Sequence, residues 1–136
     1  MRREYVTDTQ AVVWHLFAPE RLGRAAQALL LDADAGLVKI YVPAVALAEM
    51  IMVVERKRLK RGNLPQLFAH LETMQNNRSY ELLPLLPSHV KDSHTLTAIP
   101  DIFDRLIVAE TLRLGLPLIT SDTVITGSGL VTVICN

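Results

Sequence analysis

Short apolar runs alternate along this chain with longer stretches in which apolar residues recur at helical spacing, and the alternation predicts a repeated order of strand and then helix. Tyr5-Val6-Thr7 has the β-branched and aromatic character of a strand ending at Asp8, and Ala11-Val12-Val13-Trp14 with Leu16 and Phe17 predicts a buried helix closed by Pro19. Leu22, Ala25, Ala26, Leu29 and Leu30 predict a second helix over 20–31, stopped by Asp32-Ala33-Asp34-Ala35-Gly36. A strand over 38–42 meets Pro43, after which 44–59 predicts a long helix, apolar first and then basic, with Glu49 in its early turns. Beyond Gly62-Asn63, the spacing of Leu64, Leu67, Phe68, Leu71 and Met74 predicts a helix that completes a hairpin with the previous one. A short strand over 80–83 and a short helix over 88–96 capped by Ser88 follow. Asp101 is placed to cap a helix that runs to Leu114 and stops at Gly115, the stretch 117–120 predicts a strand leading into Asp122, and 131–134 an edge strand. This order predicts an α/β fold, a layer sandwich around a mainly parallel sheet.

Composition narrows the picture in three ways. At 136 residues, half of them hydrophobic, the chain can bury a core without a metal or disulfide staple, so one domain over 1–136 is expected. Lys plus Arg and Asp plus Glu balance at 14 each, so any nucleic-acid contact has to come from a local patch and not from net charge. Cys135, beside the C-terminus, has no partner for an internal disulfide, which suits a reducing compartment and makes it a poor nucleophile candidate. Met1-Arg2-Arg3 leads into Glu4 and Asp8 with no apolar run of a signal peptide, and the runs 43–48 and 50–54 are separated by Glu49. They fall short of the roughly 20 residues that span a bilayer. A cytoplasmic protein with no membrane partner is expected.

The candidate chemistry lies in acids at the expected ends of strands and starts of helices. In an open parallel sheet, ligands bind beyond the carboxyl ends of the strands, and Asp8, Glu49, Asp101, Asp104 and Asp122 are all placed to converge there. Crowded carboxylates raise one another's pKa, so the cluster is costly unless a cation neutralises it. Magnesium fits, with manganese as the alternative, because it takes hard oxygen ligands and keeps waters and substrate phosphates in its shell. Each acid also has a plainer reading. Asp8 and Asp101 can be helix caps, whereas Glu49 lies in an otherwise apolar helical stretch, where an unpaired charge is expensive to bury. The cations of 55–61 read as a solvated helix end with RNA contact as the alternative, Trp14 and Phe17 as core, Arg105 as an ion-pair partner of a nearby acid with a phosphate as the alternative. His15, His70, His89 and His94 lack zinc-ligand spacing.

Four stretches carry a family resemblance: Val6-Thr7-Asp8-Thr9-Gln10-Ala11-Val12-Val13-Trp14, Val42-Pro43-Ala44-Val45-Ala46-Leu47-Ala48-Glu49, Pro100-Asp101-Ile102-Phe103-Asp104-Arg105-Leu106-Ile107-Val108-Ala109 and Leu116-Pro117-Leu118-Ile119-Thr120-Ser121-Asp122. In this order they resemble the motifs of PIN domains, in particular the VapC-like toxin nucleases. The resemblance implies a three-layer α/β/α sandwich and a metal-dependent endoribonuclease, the toxin of a toxin-antitoxin pair. Asp8, Glu49, Asp104 and Asp122 match the family's catalytic and metal-binding acids, with Asp101, Thr9, Thr120 and Ser121 in support. It further implies three partners: an RNA substrate, a cognate antitoxin protein and a second copy of the chain in a homodimer. Two departures stand out, Gln10 where relatives often carry His, and Ile99-Pro100 where they carry His-Arg before an Asp-Pro-Phe-Asp motif. A phosphoryl-accepting signalling domain is disfavoured because adjacent acids after the first strand and a late-strand lysine are missing, and a haloacid-dehalogenase-like phosphatase because Asp8-Thr9-Gln10 lacks the second acid. A non-catalytic PIN-like RNA-binding or protein-interaction module remains the alternative.

Overall fold

The computed structural model describes residues 3–135, so Met1, Arg2 and Asn136, the ends of the expected 1–136 domain, lie outside the described residues. Five parallel strands, β1 (Arg3–Thr7), β2 (Val38–Pro43), β3 (Tyr80–Leu83), β4 (Leu118–Ile119) and β5 (Val133–Ile134), form one sheet in the order β3-β2-β1-β4-β5. Parallel neighbours need crossovers, and helices supply them: α1 (Thr9–Phe17), α2 (Arg24–Asp34), α3 (Ala44–Glu55), α4 (Leu64–Gln75), α5 (Pro87–Ser93), α6 (Ile102–Leu114) and α7 (Thr123–Ser128). The expected α/β sandwich is what forms.

Alternation along the strands divides the core between the two faces of the sheet. Val38, Ile40 and Val42 of β2 pack with Ala11, Val12, Leu30, Met50 and Leu67 under α1 to α4. Val6 and Leu118, from the opposite face, pack with Ile107, Val108 and Ile125 under α6 and α7. β1 is the switch point, because the chain leaves it toward β2 on one side and returns to β4 on the other. The carboxyl ends of β1 and β4 therefore flank the crevice in which α/β sheets hold their ligands.

Three local expectations need correction. The second helix starts at Arg24 and not near 20, because Pro19–Arg21 forms a separate 3-10 turn and Gly23 is extended. The third helix stops at Glu55, so the basic run 56–61 is turn and loop and no helix end. Lys57 takes a left-handed φ of 52°, and the bonds from Lys57 N to Val54 O and from Arg58 N to Val53 O close a Schellman-type stop. Ser88 is not a cap, since α5 already begins at Pro87, whose fixed φ suits a first helical position. The helix α7 had no expectation at all. Among the described residues no helix is long and apolar enough to cross a membrane.

Candidate active site

Asp8 leaves the end of β1 and caps α1, its Oδ1 accepting a bond from Ala11 N at 2.9 Å. Asp122, after β4, caps α7 through a 2.9 Å bond from Ile125 N, and Asp101 caps α6 by accepting from Phe103 N at 2.7 Å and Asp104 N at 3.3 Å. Capping fixes the position of each carboxylate without consuming all its acceptor sites. Cap and ligand are therefore compatible readings of the same side chain. Glu49 projects from α3 and accepts a 2.7 Å bond from the Thr9 hydroxyl. Asp104 sits in the first turn of α6, and its carboxylate accepts no hydrogen bond from the described residues.

These five acids and Thr9 line a single cavity of about 300 Å³. Thr120 braces it from below: its hydroxyl donates to Asp8 Oδ2 and accepts from Asp122 N at 3.0 Å, joining the acid after β1 to the acid after β4. Ser121 is different. It is exposed and lines a neighbouring cavity, so the structure does not bring it to the acids. Among the residues that sequence reasoning left out of the site, Trp14, Arg21 and Arg58 also line the main cavity, with Gln10, Val13, Val53 and Leu59. Trp14 is only half-buried, which corrects its expected place in the core, whereas Phe17 is buried as expected. Arg105 spends its Nε on the carbonyl of Ile99 and makes no ion pair with an acid among the described residues.

Burial and mutual repulsion strain the charged form of the cluster. Burial pushes the Asp8 carboxyl up to about 6, opposed by the Thr120 and Ala11 bonds and assisted by the charges of Asp122 and Glu49. Glu49 is raised by burial and by Asp101, against the bond from Thr9. Asp104 is pushed up to about 7, first by burial and then by the charges of Asp101, Asp122, Glu49 and Asp8. One carboxylate without hydrogen-bond support thus feels all four others.

Among the described residues, no group of three or more His, Cys, Asp or Glu side chains is arranged to hold a metal ion directly. Both Asp8 oxygens and one Glu49 oxygen are engaged by neighbouring donors. The donor set is all carboxylate, its charge is unbalanced, and the cavity is open enough for water. It fits a hydrated divalent ion touching one or two carboxylates, which is magnesium's habit, and not a dry cage.

Comparison with known proteins agrees with the fold. The profile of the PIN domain family matches residues 5–126. Three solved structures superpose over nearly their whole length. VapBC2 from Rickettsia felis, bound to a DNA fragment from their promoter, gives a TM-score of 0.65 at 16% identity and covers 96% of this chain and 97% of that one. FitAcB from Neisseria gonorrhoeae gives 0.60 at 19% identity, covering 96% of each. DNA-bound VapBC from Salmonella typhimurium gives 0.62 at 12% identity and covers 98% of each. No curated protein sequence matches the chain.

Proposed function

The chain belongs to the PIN domain family, and from that premise we propose that it is a divalent-metal-dependent endoribonuclease, the toxin of a toxin-antitoxin pair. The observation that carries the nuclease reading is the gathering of Asp8, Glu49, Asp101, Asp104 and Asp122 on one cavity at the switch point of the sheet. The toxin reading is supported by the resemblance of the four motifs to VapC-like nucleases and by the fold shared with the VapBC and FitAcB structures. With it come a cognate antitoxin, a homodimer and a cytoplasmic location, and the whole of 1–136 acts as one domain.

Asp8, Glu49, Asp104 and Asp122 are proposed to hold magnesium, or manganese, which supplies a more acidic water and charge to offset that of the phosphodiester transition state. The chain's own contribution is positional. Thr120 orients Asp8 and pins the Asp122 backbone, so the two central acids keep a fixed relation. Thr9 holds Glu49 through one oxygen and leaves the second without a donor among the described residues. Asp104, raised to about 7 and unsupported by hydrogen bonds, is the group best able to take or give a proton near neutral pH in the ion-free site. Asp101 adds negative charge while capping the helix that carries Asp104. The hydroxyl of Ser121 has no part in this scheme.

The decisive experiment is cleavage of RNA by the purified protein with magnesium, compared with Asp8→Asn. Cleavage by the wild type with a loss of at least about 100-fold in the variant is expected, the scale of a lost catalytic group. Equal cleavage by both proteins overturns the assignment, and binding with no cleavage by either leaves the non-catalytic module.

A further inference from the structure

The cavity lined by the acids is lined by cations as well. Arg21, at the close of the 3-10 turn after α1, and Arg58, just past α3, both line it together with Trp14. Neither guanidinium makes a hydrogen bond or an ion pair with the described residues, although five carboxylates line the same cavity. Of the other arginines, Arg61 is engaged with Glu20, Arg113 with Glu110 and Arg105 with a backbone carbonyl, while Arg24, Arg56 and Arg78 make no such bond with the described residues but lie outside the cavity lining. Two unpaired guanidiniums on one concave surface make a fork-shaped donor set for an anion.

The backbone that delivers Arg58 is built at a cost. Lys57 is the one described non-glycine residue with positive φ, and the left-handed turn there returns the chain so that Arg58 follows directly on the helix end that carries Val53, which also lines the cavity. L-residues occupy that region at an energetic expense that glycine does not bear. Strain of this kind tends to persist where the geometry it produces is used.

Resting on the nuclease reading, we infer that Arg21 and Arg58 grip a backbone phosphate next to the one cleaved, and that Trp14 offers its ring to the adjoining base of a single-stranded RNA. Charge fixes the anion. The indole beside the two arginines selects for a nucleotide over a bare phosphate, because every base has a π-face that stacks on an aromatic ring. A base is free to stack in this way only when it is unpaired, so the substrate segment is single-stranded. The acids and the arginines thus divide one strand between a cleaved phosphate and a held one.

Binding can be read apart from cleavage on Asp8→Asn protein with magnesium, using a short end-labelled single-stranded oligoribonucleotide. The chain has a single Trp, so Trp14 fluorescence reports the contact directly. The oligonucleotide is expected to quench it, and inorganic tripolyphosphate is not. Adding Arg21→Gln or Arg58→Gln should weaken binding about tenfold, the loss of one charge-assisted contact. Each should also reduce the slope of log affinity against log salt by about 0.7. Arg58→Lys should recover the slope but only part of the affinity, which separates loss of the contact from loss of folding. Arg56→Gln, on the same turn but outside the cavity lining, should change neither quantity by a comparable amount. Unchanged affinity and slope in both arginine variants overturn the inference, as does equal binding of the same sequence as a duplex. Failure of the nuclease reading looks different, because the oligonucleotide is then cut equally by Asp8→Asn and the wild type, or by neither, whatever the arginine variants do to binding.

Discussion

Thr120 is the side chain on which the geometry of the acids most depends. It is 1% exposed, donates to the buried Asp8 and accepts from the Asp122 backbone, so Thr120→Val keeps the shape and removes both bonds. A buried carboxylate left short of a donor costs about 1–3 kcal/mol. Urea unfolding of Thr120→Val should show a loss of that size, and RNA cleavage should fall as well. Full stability together with full activity would remove Thr120 from the site. Acidity gives a second prediction at this scale. Asp8 and Asp104 rise from an ordinary 3.8 to about 6 and about 7 on folding, so the folded protein binds their protons more tightly than the unfolded chain does. Their contribution is then fully present below about pH 4 and is lost as pH climbs through 6 and 7. In EDTA, the melting temperature of Asp104→Asn relative to wild type should therefore increase from pH 5 to pH 8, and a difference that stays flat or declines contradicts the placement of Asp104. The acids were legible in the sequence because Asp8 and Asp122 follow strands, Asp101 and Asp104 open a helix and Glu49 interrupts an apolar one, and the family resemblance singled out four of them. Trp14, Arg21 and Arg58 were not legible, since an aromatic in an apolar helix and cations in a basic run look the same whether they face a cavity or not.

At the level of elements, two helix stops make opposite use of the left-handed region. α6 ends at Gly115 with φ 66°, where an added Cβ would meet nothing within 4 Å, so Gly115→Ala has only a conformational cost. α3 ends at Lys57 with φ 52°, where the side chain already bears that cost. Gly115→Ala should destabilise the protein by about 1 kcal/mol and Lys57→Gly should stabilise it by a similar amount, both measured by denaturant midpoint at constant slope. Equal signs for the two substitutions would contradict the backbone assignment at Lys57. The same contrast explains which boundaries the sequence revealed. The end of α6 was readable because glycine announces it, whereas the end of α3 was overshot by four residues, from Glu55 to 59, because lysine at a stop carries no signal. α7 was missed for a related reason. Its six residues include a glycine and only two large apolar side chains, too short a span for periodicity to register, and it is held by Ile125 in the core and the Asp122 cap.

For the whole molecule, the acids come from elements that divide mainly between the two core clusters, with α3 reaching both through Met50 and Val45. Glu49 stands on α3, whose Ala46 and Met50 belong to the cluster under α1 to α4, while Asp104 and Asp122 open α6 and α7, which pack on the other face of the sheet. Asp8 lies between them at the end of the central strand. Without a bound cation, their repulsion opposes the approach of these layers, and the zero net charge of the chain does not relieve it, because Arg21 and Arg58, which line the same cavity, form no ion pair with the acids. A divalent ion that binds only the folded arrangement stabilises it by mass action, about 2.7 kcal/mol at 100 times the dissociation constant. For a chain of this length that corresponds to roughly 8–10 °C in melting temperature. Magnesium at pH 8 should therefore raise the melting temperature in step with the logarithm of its concentration while unfolding remains one cooperative transition. At pH 5 the gain should shrink, because protons then occupy the carboxylates that Asp8 and Asp104 would otherwise present. Asp104→Asn should lose most of the gain at pH 8, and Arg113→Gln, outside the cavity lining, should keep it. A gain of the same size in wild type and Asp104→Asn would mean that the ion binds elsewhere, and the carboxylate cluster would then have no claim to the chemistry proposed for it.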